Sequence, residues 1–218
     1  MKKLILGFLA LIMLINFNGC SGSSSNSTPP NNNTYDLRAV NKTTSISALL
    51  KGGYSNGTKG SLTFARLDDG DDIINGISVK KVKSDTSMTL DNGYTSQNSS
   101  ISLIDENGFT LAFDDTLAYC TLTTDADILP TAATVGATSN GAAIYSCNDN
   151  TNRTISWSLI DAGGSNANYI FKTVISGALQ SENTTTITIT PQNKIIYYKI
   201  HVDVIAQGIT GTFEGDVN

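Results

Sequence analysis

The stretch that decides the fold is IIYYKIHVDVIA, residues 195–206. Its apolar side chains recur at every second position, which places them on one face of a β-strand. The residues on that face are Tyr198, Ile200, Val202 and Val204. One face of this strand therefore packs against a core while the other meets water. A turn at residues 191–194 precedes the strand, so we expect the residues before this turn to form an antiparallel neighbouring strand.

The same two-residue period recurs upstream. Residues 154–160 and 169–176 flank a turn rich in Gly and Asn, and residues 100–104 and 109–113 flank Asp-Glu-Asn-Gly at 105–108. An Asn-Gly step between alternating runs is a strong hairpin signal. No helix-length stretch shows a 3.6-residue period. The sequence therefore predicts an all-β fold, either an antiparallel β-sandwich or two packed β modules.

The first twenty residues have the pattern of an export signal, and its parts are Lys2, Lys3, an apolar run over residues 4–15, and Gly19. A run of about 12 apolar residues is too short to span a bilayer comfortably. A cysteine directly after Gly19 resembles the end of a bacterial lipoprotein signal, although that family has Leu and a small residue where this chain has Phe17 and Asn18. The resemblance implies cleavage before Cys20 and a diacylglycerol anchor on its thiol. Plain export is the alternative.

Residues 20–35 follow the signal as a flexible tether of Ser, Asn, Thr and Pro. A coil of this length has a root-mean-square reach of about 20 Å. The lipoprotein family often has Asp after the cysteine in proteins kept at the inner membrane, so Ser21 favours the outer membrane. We therefore expect a protein of the cell envelope, exported and held at the membrane by its lipid.

The segment 125–141 contains Pro130 among Ala, Thr and Gly, and it suggests a boundary between two β modules. The predicted organisation is a signal peptide at residues 1–19, the tether at 20–35, an N-terminal module at 36–126 and a C-terminal module at 127–218. A single larger sandwich or open barrel over the folded part is the alternative.

The charge of the chain limits its partners. Removal of Lys2 and Lys3 lowers the 14 basic residues to 12, against 19 acidic ones. Phosphate backbones and anionic headgroups repel such a surface. We therefore expect no nucleic-acid partner, and membrane attachment through acyl chains rather than through charge. An envelope protein or a glycan stays open as a partner.

The cysteines predict a disulfide. If Cys20 carries lipid, Cys120 and Cys147 remain as a pair in an oxidising compartment. A bridge between them stabilises the fold by about 3.6 kcal/mol in the chain-entropy account. A redox pair or half of a metal site is the alternative, but the chain has no C-x-x-C spacing and only 1 histidine.

The densest anionic cluster consists of Asp68, Asp69, Asp71 and Asp72 around Gly70. Hard oxygen ligands around a tight turn are the kind that Ca²⁺ prefers, so these four carboxylates are a candidate calcium site. The alternative is a solvated hairpin loop in which Asp and Gly supply turn geometry.

Catalytic motifs are lacking, and we predict no catalytic residue. His201 is the only imidazole, it lies on the polar face of its strand, and neither Gly-x-Ser-x-Gly nor His-Glu-x-x-His occurs. Ile155, Trp157 and Leu159 stand at every second position and so share one face of a strand. This pattern favours a core position for Trp157 over an exposed sugar-stacking platform.

Residues 129–136, Cys147 and residues 155–159 together resemble a pattern in uncharacterised lipoproteins of bacteria. The resemblance implies export and a β fold and carries no catalytic residue. The expected function is a non-catalytic binding or structural module, anchored by lipid in the cell envelope. One alternative is an envelope polysaccharide hydrolase that uses carboxylates such as Asp114, Asp115 or the cluster at 68–72. Another is a β-barrel carrier of an apolar ligand.

Overall fold

Twelve antiparallel strands of the described residues form one sheet that closes on itself. This computed structural model describes residues 31–115, 118–124, 129–176 and 180–218, with the backbone alone of Ala206. Each strand pairs with its neighbours in the chain, which makes the sheet an up-and-down barrel. The strands are β1 (Ile46–Tyr54), β2 (Lys59–Ile74), β3 (Ile77–Leu90), β4 (Thr95–Ile104), β5 (Thr110–Asp114), β6 (Tyr119–Leu122), β7 (Ala143–Cys147), β8 (Asn152–Gly163), β9 (Asn166–Ser176), β10 (Ser181–Ile189), β11 (Ile195–Val204) and β12 (Ile209–Asp216).

A short helix, α1 (Leu37–Lys42), precedes the barrel and packs against its interior. It begins after Asp36, whose Oδ1 accepts a hydrogen bond of 3.0 Å from the backbone N–H of Ala39. Its Leu37 and Val40 side chains are buried in the barrel core. A 3₁₀ helix (Ile205–Gln207) joins β11 to β12. Among the described residues, no helix is both long and apolar enough to span a membrane.

The alternation in residues 195–206 is confirmed. The four apolar side chains predicted to share a face are all buried, whereas Lys199, His201 and Asp203 are half-buried on the outer face of β11. Strand β11 pairs antiparallel with both β10 and β12. The predicted antiparallel all-β class therefore agrees with the observed sheet.

Two tight turns show how local sequence sets the pairing of the strands. Asn75 and Gly76 connect β2 to β3 with φ of 51° and 81°, the conformation that a two-residue type I′ turn requires. The predicted hairpin at residues 105–108 joins β4 to β5, and Gly108 N–H donates to the Asp105 carbonyl at 3.0 Å. Both turns carry Asn-Gly, so the hairpin prediction at 105–108 is confirmed.

The predicted sandwich differs from the observed closed sheet. Strand β1 pairs with β12 in a register that includes Lys51 opposite Glu214. A side chain on Gly52 would place its Cβ 1.8 Å from the Thr212 carbonyl oxygen, so this seam needs a glycine where the strands approach closely. Pairing of the first and last strands removes both sheet edges, which a two-layer sandwich retains.

Both predicted modules supply strands to this one sheet. Strands β1–β6 come from residues 36–126 and β7–β12 from residues 127–218. Strand β6 pairs with β7 across the predicted boundary, with Cys120 opposite Cys147. The boundary therefore lies between neighbouring strands of a single closed barrel.

Candidate functional site

The barrel interior contains a cavity of about 170 Å³. Inward side chains of β2–β5 and β7–β11 form its wall, and α1 adds Val40 and Asn41. An apolar protein cavity of about 150 Å³ takes up benzene. The interior is thus large enough for a small organic molecule.

One wall of the cavity is polar. Arg66 on β2 lies opposite Ser84 on β3, and Ser84 lies opposite Ser100 on β4. Thr86 and Ser102 also line the cavity, each two positions along its strand from this row. Because side chains two positions apart share a face, β2–β4 present a guanidinium and several hydroxyls to the interior.

The facing wall is aromatic. The Trp157 and Tyr169 rings meet edge to face with their centroids 6.0 Å apart, and Tyr169 lies 4.3 Å from Phe171. Phe64 on β2 and Tyr198 on β11 also line the cavity, with ring centroids 4.6 Å apart. Rings arranged in this way offer apolar faces to a ligand that enters the cavity.

Among the described residues that line this cavity, Arg66 is the charged one. Its side chain is only 8% exposed, and its Nη2 donates to the Asn41 carbonyl at 2.6 Å. It forms no salt bridge with any carboxylate of the described residues. Burial lowers the pKa of the Arg66 guanidinium below its ordinary value. Burial also raises the pKa of Tyr198 to about 12, so that phenol is neutral at pH 7 and supplies no counter-charge.

A second donor of the cavity, the indole N–H of Trp157, lacks an acceptor among the described residues, and the described part of the wall contains no carboxylate. Trp157 is 8% exposed, and its indole Nε1–H has no hydrogen-bond acceptor among the described residues. No described residue that lines the cavity is Asp or Glu. The described cavity wall therefore presents one cation, Arg66, and an additional hydrogen-bond donor, Trp157.

The cavity reaches solvent beside the start of β7. Asn140, Gly141 and Ala142 are exposed and also line the cavity, so they mark its opening. The segment is attached to β8 through Ser139, whose N–H donates to the Trp157 carbonyl at 2.9 Å. The opening therefore lies next to the aromatic wall.

The predicted disulfide is present between Cys120 and Cys147. It lies in a small second core with Phe113 and Tyr145, on the β5–β7 side of the barrel. Phe113 in turn lies beneath a second buried arginine, Arg153, whose Cζ is 5.5 Å from the ring centroid. The bridge thus ties together neighbouring strands beside a buried charge.

Arg153 has a carboxylate partner. Its Nη1 lies 2.8 Å from Asp115 Oδ2, and the two side chains are 3% and 1% exposed. The other Asp115 oxygen, Oδ1, accepts a hydrogen bond of 2.9 Å from the Ala118 N–H. Asp149 lies further out, 3.8 Å from Arg153 Nη2. Asp115, one of the carboxylates considered for hydrolysis, is thus held in an ion pair, while Asp114 is exposed.

The aspartates considered for calcium lie within β2 rather than in a hairpin loop. The register of β2 against β3 shifts between Asp68 and Asp71, which marks a β-bulge. Asp68 Oδ2 lies 2.7 Å from Lys80 Nζ, and this hydrogen bond holds the pKa of Asp68 below its ordinary value.

A second lysine pairs with the same cluster, because Asp69 Oδ2 lies 3.2 Å from Lys81 Nζ. Asp71 and Asp72 are exposed. Among the described residues, no group of three or more His, Cys, Asp or Glu side chains is arranged to hold a metal ion. Calcium binding by this cluster stays a prediction.

The remaining sequence-based candidates lie away from the cavity. His201 Nδ1 lies 2.7 Å from Thr212 Oγ1 on the outer face of the barrel. Cys20 and the start of the tether lie outside the described residues. The end of the predicted tether, residues 31–35, contacts the β8–β9 turn, where Tyr35 Oη donates to the Ser165 carbonyl at 2.6 Å.

Sequence reasoning missed Arg66. The signal was present, because Leu62, Phe64 and Arg66 alternate along β2 and predict an arginine on the buried face. Trp157 was expected in the core, and it is buried there, yet it also lines the cavity. A cationic residue at an inward position was thus the clue to the site.

Comparisons of the chain with protein-family models, with curated proteins and with solved structures found no match.

Proposed function

We propose that this protein is an exported, non-catalytic binding module whose site is the interior of the barrel. The observation that carries the proposal is the cavity of about 170 Å³ with an aromatic wall facing a polar one. Ligand sites are concave and mostly apolar, and a few placed polar groups orient the ligand. The interior has this composition, and its opening at residues 140–142 provides a path for the ligand.

The cell-envelope setting is part of the same proposal. Its support is the lipoprotein-like signal that ends at Cys20 and the polar segment that follows it. A diacylglycerol on Cys20 holds the barrel at a membrane, and the tether lets the barrel stand away from the lipid surface. The module then captures a small molecule within the envelope.

The carboxylates favour binding over hydrolysis. A glycosidase needs two carboxyl groups that flank the scissile bond. Asp115 is buried in its pair with Arg153, and no described residue that lines the cavity is acidic. The cavity therefore offers donors and aromatic faces for recognition, which suits a carrier.

The experiment uses the chain's 1 tryptophan as a reporter of the cavity. Titration of the full-length protein with a small neutral aromatic compound, toluene, is expected to change the emission of Trp157 in a saturable way. Isothermal titration calorimetry of the same solution gives the stoichiometry, expected to be one molecule per chain. An unchanged emission together with no heat of binding would contradict a ligand site in the barrel.

A matched pair of variants separates cavity binding from surface binding. Ser102→Phe adds a ring inside the cavity, while Gln97→Phe adds the same ring to the exposed face of the same strand, β4. Filling the cavity removes the space for toluene, so we expect Ser102→Phe to abolish binding and Gln97→Phe to retain it. Equal binding by both variants would place toluene outside the barrel.

A further inference from the structure

We propose that the ligand of this barrel is a small monocarboxylate with an aromatic or short aliphatic body, and that its carboxylate pairs with Arg66. This inference rests on the proposed function, because it assigns the chemistry of the same interior site. It is carried by a nine-tenths buried guanidinium that lines the cavity and forms no salt bridge with the described carboxylates.

The charge of Arg66 selects the head group. Burial of a cation is unfavourable unless an opposite charge or hydrogen bonds compensate it. The described residues supply Arg66 with one carbonyl, that of Asn41, which leaves further N–H donors of its five for another acceptor. A carboxylate matches the planar fork of a guanidinium with two parallel hydrogen bonds. One cation in the wall compensates one negative charge, so the head group is a monoanion.

Other groups in the cavity point to the same class. Trp157 lines the cavity and its N–H has no acceptor, so the site favours a ligand that carries acceptors. Ser84 on the polar wall lies directly opposite Arg66 and adds a hydroxyl beside the guanidinium. A cationic ligand is disfavoured, because Arg66 would repel it and the described wall has no carboxylate to compensate its charge.

The rest of the cavity determines the body of the ligand. The rings of Trp157, Tyr169 and Phe171 form a continuous apolar wall with centroid separations of 6.0 Å and 4.3 Å. The cavity of about 170 Å³ is slightly larger than one that holds benzene, which leaves room for a ring and a carboxylate. Benzoate has this size and chemistry and serves as the probe.

A purely structural role for Arg66 makes a different prediction. Its hydrogen bond to the Asn41 carbonyl lies in the last turn of α1, where a cationic side chain satisfies a free helix carbonyl. If that bond were its whole role, removing the charge would loosen α1 without changing which ligands bind. The selectivity between an anion and its neutral analogue separates the two roles.

The test compares benzoate with benzamide, which has nearly the same shape and no charge. Both are titrated into the full-length protein, with calorimetry and Trp157 emission as readouts. We expect benzoate to bind at least about tenfold more tightly, since a charged hydrogen-bonded pair is stronger than a neutral one. If benzamide and toluene bind while benzoate does not, the carboxylate proposal fails and the binding cavity stands. If none of the three binds, both proposals fail.

Variants locate the selectivity at Arg66. Arg66→Gln removes the charge and keeps an N–H donor for the Asn41 carbonyl, so we expect benzoate to lose its preference and benzamide to bind as before. Lys83→Met is the control, because it removes a cation from the neighbouring strand β3 that forms a salt bridge with Asp85 on the outside of the barrel. Equal losses of benzoate affinity in the two variants would overturn a direct pair with Arg66, as would an Arg66→Gln protein that is folded and unchanged in selectivity.

Discussion

Two buried arginines of this barrel differ in their surroundings. Arg153 lies beneath the surface of the β5–β8 region with Asp115 at 2.8 Å, the Phe113 ring at 5.5 Å and the Cys120–Cys147 bridge nearby. Arg66 lines the central cavity, and among the described residues it donates to a backbone carbonyl, that of Asn41, at 2.6 Å. A buried charge with a carboxylate partner belongs to the scaffold, while one that faces a cavity without such a partner is available to a ligand.

Removal of Arg153 should have the largest effect on stability. Arg153→Met leaves Asp115 buried without its partner, so we expect a loss of about 3 to 5 kcal/mol in the free energy of unfolding. Urea denaturation followed by circular dichroism measures it. The double variant Arg153→Met/Asp115→Leu removes both charges and should recover most of the loss. A loss of less than about 1 kcal/mol in the free energy of unfolding of Arg153→Met lies below the range expected for a broken buried pair. That result would contradict the difference between the two arginines.

Removal of the disulfide tests the same region of the scaffold through a covalent cross-link rather than an ion pair. The bridge closes a loop with a sequence separation of 27 residues, so the Cys120→Ala/Cys147→Ala variant should lose about 3.6 kcal/mol. Because the bridge lies beside Arg153 and away from Arg66, the preference for benzoate over benzamide should stay unchanged. Reductant should destabilise the parent and leave the variant unaffected. A variant that loses the benzoate preference would show that the two regions are coupled.

The matched substitution at the cavity should have a small effect on stability. Arg66→Met loses the hydrogen bond to the Asn41 carbonyl and also removes an uncompensated buried charge, so the two changes oppose each other. We expect the free energy of unfolding to change by less than about 1 kcal/mol. The same urea denaturation, run beside Arg153→Met, makes the comparison. A loss as large as that of Arg153→Met would assign Arg66 to the scaffold.

Removal of one residue of an exposed ion pair should give the smallest loss in the free energy of unfolding, against which the losses at the two buried arginines can be compared. Lys199 Nζ lies 2.9 Å from Glu214 Oε2 on the outer face of the barrel, with side chains 41% and 45% exposed. We expect Lys199→Met to cost about 0.2 to 1 kcal/mol, a contribution that salt reduces. Urea denaturation at low and high ionic strength measures it. A salt-independent loss above this range would contradict a solvated pair.

This outer pair also predicts the direction of a pH effect. Hydrogen bonds from Lys199 and then Tyr197 hold the pKa of Glu214 below its ordinary value of 4.5. Because the folded-state pKa is the lower one, the stabilisation is present above the unfolded pKa and is lost as pH falls through the folded pKa. The stability difference between the parent and Glu214→Gln should therefore shrink as pH is lowered below 4.5. A difference that grows on acidification would contradict this sign.

Several elements of the fold were predictable because their causes are local. The inward face of β11 follows from alternate apolar residues, and the β4–β5 hairpin follows from Asn107-Gly108. The disulfide was predicted from the count of cysteines together with the expectation of export. The sandwich prediction differed from the closed sheet because both architectures share the same period-two pattern. Only the pairing of β1 with β12, more than 150 residues apart in the chain, distinguishes them.

In the candidate site, too, some features follow from local sequence and others only from the tertiary structure. The sequence by itself determined which side chains of a strand share a face, and so it determined that Arg66 lies inward with Phe64, since alternation is a property of the extended backbone. Only the tertiary structure decided that Asp115 lies beside Arg153 and that no described carboxylate forms a salt bridge with Arg66. The partner of Arg153 is Asp115, which directly follows β5 and lies 38 residues away in the chain, so its presence depends on how the closed sheet brings distant segments together.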